Sequence, residues 1–428
     1  MSYFECRDGV THAEQVALPA IADAVGTPVY VYSAAAFRDA ARAYRQALAA
    51  VPRKHLAFAV KANPNLAVLD VLAAEGYGAD IVSGGELAQA LVAGMPAADI
   101  LFSGVGKTDA ELVAALDRGV GQFNLELEEE GRVLGALGVA RRQVAPAVLR
   151  INPAVDADTH AKITTGTSAS KFGVPIADAP AIYARLAKVD GLRLRGVAVH
   201  IGSQITDLSR LEAAYRRIGR LVAELRHDGH PITHVDLGGG LGIAYRPEDT
   251  PASPAEYGAM VARVTQGWDV TLQFEPGRAL AGAAGVLLTR VLWVKPGDGH
   301  PHVVVDAAMN DLARPALYDA WHLFTAVVPT GGRMIANVVG PVCESGDTFA
   351  TMRSIDCVRR GDLAVFHTAG AYGASMASTY NGRPLVPEVL VDGARFAVVA
   401  DRGSAEAMLA RQHRPARFGP VDGLSRAA

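Results

Sequence analysis

The chain is 428 residues long, half of them hydrophobic, with a net charge of -3. That length exceeds one compact core and predicts two domains, while a balanced charge without a basic run recommends neither nucleic acid nor membrane as a partner. The three cysteines, Cys6, Cys343 and Cys357, are too few and too scattered for a disulfide framework or a zinc site, so no metal is expected, and they fit a reducing cytoplasm.

Residues 1–14 carry Glu5, Arg7, Asp8 and Glu14 and hold no apolar core, so no secretory leader is expected. No apolar run approaches the ~18 residues of a membrane span. A strand is predicted at 28–32 and an Ala- and Arg-rich helix at 34–50. Strand-like runs then fall at 56–60, 79–82, 99–103, 120–124, 145–151, 194–200, 232–237 and 270–275, with amphipathic helical stretches at 66–75, 86–93, 109–117, 208–227 and 254–266. Eight strands alternating with helices predict an α/β fold, a parallel sheet closed into a (β/α)8 TIM-type barrel, with a doubly wound open sheet as the alternative. Beyond Gly282 the runs 286–294, 302–305, 363–367, 389–391 and 396–399 are β-rich, divided by Gly and Pro, and no long helix is predicted. The expected division is a barrel over 30–280 and a second, all-β domain made of 1–29 plus 281–428.

Chemistry in such a barrel belongs at the carboxyl ends of the strands, and phosphate is commonly bound after strands seven and eight. Lys61 follows the first predicted strand, between the apolar run 56–60 and the turn signal Asn63-Pro64; Asp80 lies in the second and Ser83 just after it. The sixth ends in His200-Ile201-Gly202-Ser203-Gln204, the seventh in Asp236-Leu237-Gly238-Gly239-Gly240, and the eighth in Glu275-Pro276-Gly277-Arg278. A lysine in an apolar cleft is expected to have its pKa lowered by desolvation, which frees the amine for a Schiff base with an aldehyde cofactor. The glycines can bring backbone N–H groups against a phosphate. Glu275 can keep a pyridine nitrogen protonated or simply pair with Arg278, and His200 can stack on an aromatic ring or sit satisfied in the core. In the second region a Gly-rich loop sets Cys343 beside Glu344, and Arg314, Tyr318 and Tyr372 are side chains that grip carboxylates or phosphates.

The ordered blocks F-A-V-K-A-N (58–63), A-D-I-V-S-G-G-E-L (79–87), H-I-G-S-Q (200–204), D-L-G-G-G-L-G (236–242), E-P-G-R (275–278), R-P-A-L-Y (314–318), G-P-V-C-E-S-G-D (340–347) and G-A-Y (370–372) resemble the fold-type III pyridoxal-phosphate-dependent decarboxylases over nearly the whole chain. Phe58, where tyrosine is common, and Ala307-Ala308, where glycines are frequent, are minor departures. The resemblance implies that pyridoxal 5'-phosphate is carried on Lys61 with Asp80 nearby and His200 against its ring. Its phosphate would lie on Ser203, Gly239, Gly240 and Arg278, its pyridine nitrogen on Glu275, Gly277 would also bind the cofactor, and Tyr372 would reach it from the second domain. Cys343 would be a proton donor supplied by the partner subunit of a homodimer with shared active sites. Decarboxylases of this fold type that act on ornithine place an aspartate after the loop cysteine, whereas Glu344 stands here. Glu344 with Arg278, Arg314, Tyr318 and Tyr372 would answer a distal ammonium and a distal carboxylate together. The implied reaction is decarboxylation of meso-2,6-diaminopimelate at its D-centre to L-lysine and carbon dioxide. The rival readings are a decarboxylase of ornithine, lysine or arginine, a racemase-like enzyme and a non-catalytic binding module. An active-site loop is expected near 159–173.

Overall fold

Eight parallel strands, β1 (Lys54–Ala59), β2 (Gly78–Ile81), β3 (Ile100–Phe102), β4 (Gln122–Leu125), β5 (Ala145–Asn152), β6 (Leu192–Val199), β7 (His234–Asp236) and β8 (Thr271–Phe274), form the first half of this computed structural model, which describes residues 3–157 and 171–414. Each pairs with the next, and β8 closes on β1 with Phe274 opposite Leu56, so the sheet is a barrel and not the open alternative. The strands read as short apolar runs because side chains fill the barrel on one side and helices cover the other.

The predicted helical stretches form helices at Leu66–Ala74, Gly84–Val92, Asp109–Arg118, Leu208–His227 and Pro254–Val264, capped by the side chains of Asn65, Ser83, Thr108, Asp207 and Ser253. Thr108 with Glu111 and Ser253 with Glu256 complete capping boxes. Two further helices, Glu128–Arg141 and Ala179–Leu186, were not predicted. The first has no apolar stripe because its buried face is mostly glycine: a Cβ on Gly135 would stand 2.7 Å from the Asp190 carbonyl oxygen, and one on Gly138 would stand 2.7 Å from that of Gly191.

The second half is a mostly antiparallel sheet in the order Thr348–Asp356, Arg333–Val339, His302–Val305, Gly285–Lys295, Val29–Ser33, Glu388–Asp392, Arg395–Ala400, with Leu363–Phe366 and Phe324–Ala326 joined beside Gly285–Lys295. Val29–Ser33, buried throughout, lies between Gly285–Lys295 and Glu388–Asp392, with Val31 opposite both Val286 and Val389. Residues 30–33, expected on the barrel side of the division, therefore belong to this sheet.

The two halves meet where the chemistry was expected. The Tyr372 amide donates to the Ala62 carbonyl at 2.8 Å, and the Asn63 side-chain amide donates to the Gly370 carbonyl at 3.0 Å. These bonds fasten the 370–372 loop onto the turn after β1. Tyr372 takes a left-handed backbone (φ 56°), a conformation costly for a bulky residue and held here by its surroundings.

Candidate active site

Lys61 occupies a single turn, Val60–Ala62, at the carboxyl end of β1, and its ammonium donates to Asp80 Oδ2 on the neighbouring β2 at 2.7 Å. It faces a cavity of about 480 Å³ at the carboxyl end of the barrel. The same cavity is lined by His200, Ser203, Gly240, Glu275, Gly277, Arg278, Arg314, Tyr318 and Tyr372, while Asp80 lies buried beneath the lysine. Gly239 stands at the edge, its amide donating to His200 Nδ1 at 3.2 Å. Strand ends thus gather the predicted barrel residues, and the second half adds Arg314, Tyr318 and Tyr372.

One expectation is corrected. Burial does act to lower the Lys61 pKa, but the charges of Asp80 and Glu275 outweigh it, and the amine is held above the ordinary lysine range. Lys61 is a paired ammonium in this state and not a free amine.

Behind Lys61 three carboxyls share one floor. Asn124 Nδ2, at the end of β4, lies 3.0 Å from Asp236 Oδ2, 3.1 Å from Glu275 Oε1 and 3.0 Å from Ser103 Oγ. Gln122 donates to Asn124 Oδ1 at 2.8 Å, which fixes the amide's orientation. Burial, then the charges of Asp236 and Asp80, push Glu275 well above the usual carboxylate range; burial also raises Asp236. The His200 imidazole is pushed far down by burial and by the nearby Arg150 and Lys61, so it is neutral. Asn124 and Ser103 were missed by sequence reasoning, although both sit at strand carboxyl ends where the barrel rule could have found them.

The opposite wall carries the reverse charge. Arg278 donates to Ser203 Oγ at 3.0 Å and to the Tyr245 hydroxyl, and Arg314 Nη1 lies 2.9 Å from His322 Nε2. Both guanidiniums are buried, at 7% and 5% exposure, and among the described residues neither forms an ion pair. The Tyr245 ring lies between them, 5.8 Å from Arg278 and 4.6 Å from Arg314. Tyr245 and His322 carried no sequence signal beyond their residue types.

Cys343 and Glu344 are not brought to the cavity within one chain. Cys343 is exposed, and Glu344 accepts from the Tyr380 hydroxyl at 2.9 Å. Glu344, expected to meet a distal ammonium while Arg278, Arg314 and Tyr318 meet the distal carboxylate, does not line their cavity within a single copy. Residues 159–170 of the expected loop at 159–173 lie outside the described residues; at its end, the Gly173 amide donates to Glu126 at 2.8 Å.

Residues 36–282 match the family model described as the pyridoxal-binding domain of pyridoxal-dependent decarboxylases. A diaminopimelate decarboxylase of Zymomonas mobilis is 48% identical over 95% of this chain and 97% of its own. The chain belongs to the diaminopimelate decarboxylase family. Family members of solved structure include the enzyme of Helicobacter pylori complexed with L-lysine, 34% identical over 92% of this chain and 98% of that one with a TM-score of 0.88. That of M. jannaschii in co-complex with L-lysine is 32% identical over 96% and 98%, with a TM-score of 0.92. Among the described residues no helix is long and apolar enough to cross a membrane, and no cluster of metal-ligating side chains occurs.

Proposed function

We propose that this chain is a pyridoxal-phosphate-dependent decarboxylase of meso-2,6-diaminopimelate, acting at the D-centre to release carbon dioxide and L-lysine. The carrying observation is the polarity of one cavity: a lysine over three buried carboxyls at one side and, across from it, two buried guanidiniums with no carboxylate partner among the described residues. A substrate with a second carboxylate at its far end answers those guanidiniums; one with only an amine leaves them buried and unmatched.

The residues present fit the cofactor. A Cβ on Gly239 would lie 2.2 Å from the Glu275 carbonyl oxygen and one on Gly240 (φ 114°) 2.5 Å from that of Gly202, so only glycine lets this turn pack against the neighbouring strand ends with its backbone bare of side chains at the rim. Asp80 Oδ1 and Arg278 Nε are buried without a hydrogen-bond partner. Ser203, Gly239, Gly240, Gly277 and Arg278 would hold the phosphate, Glu275 the pyridine nitrogen and His200 the ring face, with Tyr372 closing from the second half. When bound, pyridoxal phosphate supplies the electron sink for the pair left by the departing carboxylate.

The chain's own groups do the rest. Lys61 would hold the cofactor, for which it must first give up the proton that Asp80 stabilises. Asn124 bonds both Glu275 and Asp236, so the carboxyl that would face the pyridine nitrogen is held in position before anything binds. Arg314, Arg278 and Tyr318 orient the substrate by its distal carboxylate. Cys343 would deliver the proton to the reacting carbon and Glu344 would meet the distal ammonium, both from a second copy in a homodimer. We assign residues 34–281 to the cofactor-binding unit and the remainder to the unit that supplies these groups.

The test is direct. Purified protein given separately meso-diaminopimelate, L-lysine, L-ornithine and L-arginine should release carbon dioxide from the first about three orders of magnitude faster in kcat/KM. Equal rates with any of the other three would overturn the assignment.

A further inference from the structure

His322 follows Arg314 by eight positions, after the short helix Arg314–Tyr318 and a left-handed turn at Asp319 that doubles the chain back. Its ring is 1% exposed and bonded at both nitrogens: Nδ1 lies 2.8 Å from the His367 carbonyl oxygen and Nε2 lies 2.9 Å from Arg314 Nη1. A carbonyl can only accept and a guanidinium can only donate. Nδ1 must therefore carry the hydrogen and Nε2 the lone pair, so one neutral tautomer satisfies both neighbours. A second proton would set N–H against N–H and one cation beside another. Consistently, burial and the adjacent Arg314 bring the imidazole down to about 3. The main chain is tied as well, with Arg353 donating to the His322 carbonyl at 2.6 Å, and the Tyr245 ring stands edge-on at 5.5 Å.

This matters because a buried guanidinium is commonly fixed by a carboxylate, which would also cancel its charge. A neutral acceptor fixes the same group and leaves the charge intact. We propose that His322 is a positioning residue for substrate selection: anchored on the His367 carbonyl, it accepts from Arg314 and so presents the remaining N–H groups of that guanidinium, undiminished in charge, to the distal carboxylate of the amino-acid substrate. The proposal rests on the reading of Arg314 as the distal-carboxylate group and adds what holds it in place.

Two measurements test it. In the wild-type protein with selectively 15N-labelled histidine, the signal lost in His322→Gln should report Nδ1 protonated and Nε2 bare from about pH 5 to 9, with or without substrate; the opposite tautomer, or protonation in that range, overturns the proposal. In kinetics, His322→Leu should raise KM for meso-diaminopimelate and the inhibition constant of L-lysine by about ten- to a hundredfold, the worth of one buried charged hydrogen bond. It should leave kcat within a few-fold, because what is lost is binding common to ground and transition states. Cadaverine, which carries the two amines and neither carboxylate, should inhibit as before, and His322→Gln, which keeps an acceptor, should recover most of the loss. Equal weakening of cadaverine would show a general collapse of the cavity, and unchanged KM would show that Arg314 needs no holder; either ends the proposal. Should His322→Leu not fold, the tautomer in the wild type still decides. If the wild type fails to turn over meso-diaminopimelate, the functional reading falls instead, and the tautomer measurement tells the two failures apart.

Discussion

The two walls of the cavity face one another with opposite charge and opposite strategies. Around Lys61 the polar groups are bonded to one another within the chain: the ammonium bonds Asp80, and the Asn124 amide donates to both Asp236 and Glu275. Around Tyr245 they are not, since among the described residues Arg278 and Arg314 bond only to hydroxyls, an imidazole and aromatic faces. A wall satisfied internally can keep its geometry through a chemical cycle, whereas a wall left with surplus charge is organised for a ligand that supplies the missing anion. The first wall is thus suited to cofactor chemistry and the second to choosing a substrate.

The comparison can be broken most forcefully at Lys61. Lys61→Ala should lower turnover by roughly four orders of magnitude or more, as loss of a covalent catalytic group does. Borohydride treatment of the wild type followed by peptide mapping should mark Lys61; a label on Lys107, which is buried against Glu130, would remove the first wall from the chemistry. At the second wall, Arg314→Ala should cost about a thousandfold in kcat/KM for meso-diaminopimelate while narrowing its advantage over L-lysine as a substrate. A loss equal for both compounds would mean that Arg314 holds the site together and does not select.

These walls were unequally legible in the sequence. Lys61, Asp80, His200 and Glu275 stand at or beside the ends of apolar strands, and a closed barrel sends all such positions to one rim. The barrel itself was readable because short apolar runs alternate with amphipathic ones. The helix Glu128–Arg141 was not, because Gly131, Gly135 and Gly138 form its packing seam, and a glycine reads locally as a breaker. The strand Val29–Ser33 is cut by the expected boundary at 29/30, since nothing local reveals that its partners lie more than 250 residues away, at Gly285–Lys295 and Glu388–Asp392. Tyr245 and His322 fall in loops without period or motif, and their value comes only from the two arginines they meet. The expected drop in the Lys61 pKa failed for a related reason: desolvation is a property of one residue, whereas the pairing with Asp80 exists only once β1 and β2 lie side by side.

A third component belongs to neither wall. Cys343 is exposed on the loop that also bears Glu344 and does not line the cavity that Lys61 faces in its own chain. If a second copy brings it to the cavity, Cys343→Ala should bind cofactor and substrate yet lose about a hundredfold or more in turnover, the worth of a positioned acid. Mixed with Lys61→Ala under conditions of subunit exchange, it should regain roughly a quarter of wild-type activity, because half the dimers are hybrids and each hybrid holds one intact site. Failure to complement despite proven exchange would place both residues' functions within one chain.

The smallest effect is expected from sharpening the first wall without dismantling it. Asp80→Asn keeps the shape beside Lys61 but removes the nearest negative charge. An anion beside an ammonium favours its protonated form, so its loss lets the Lys61 pKa fall toward what burial alone would set. The unprotonated fraction of Lys61 at neutral pH then rises. Only that fraction can attack an aldehyde, so cofactor-free protein should take up pyridoxal phosphate with a pH profile displaced to lower pH in the variant, read from the growth of the yellow absorbance. Displacement to higher pH, or none, would mean that Asp80 does not set the protonation of Lys61 and that the internal matching of the first wall is carried by Glu275 and Asp236 instead.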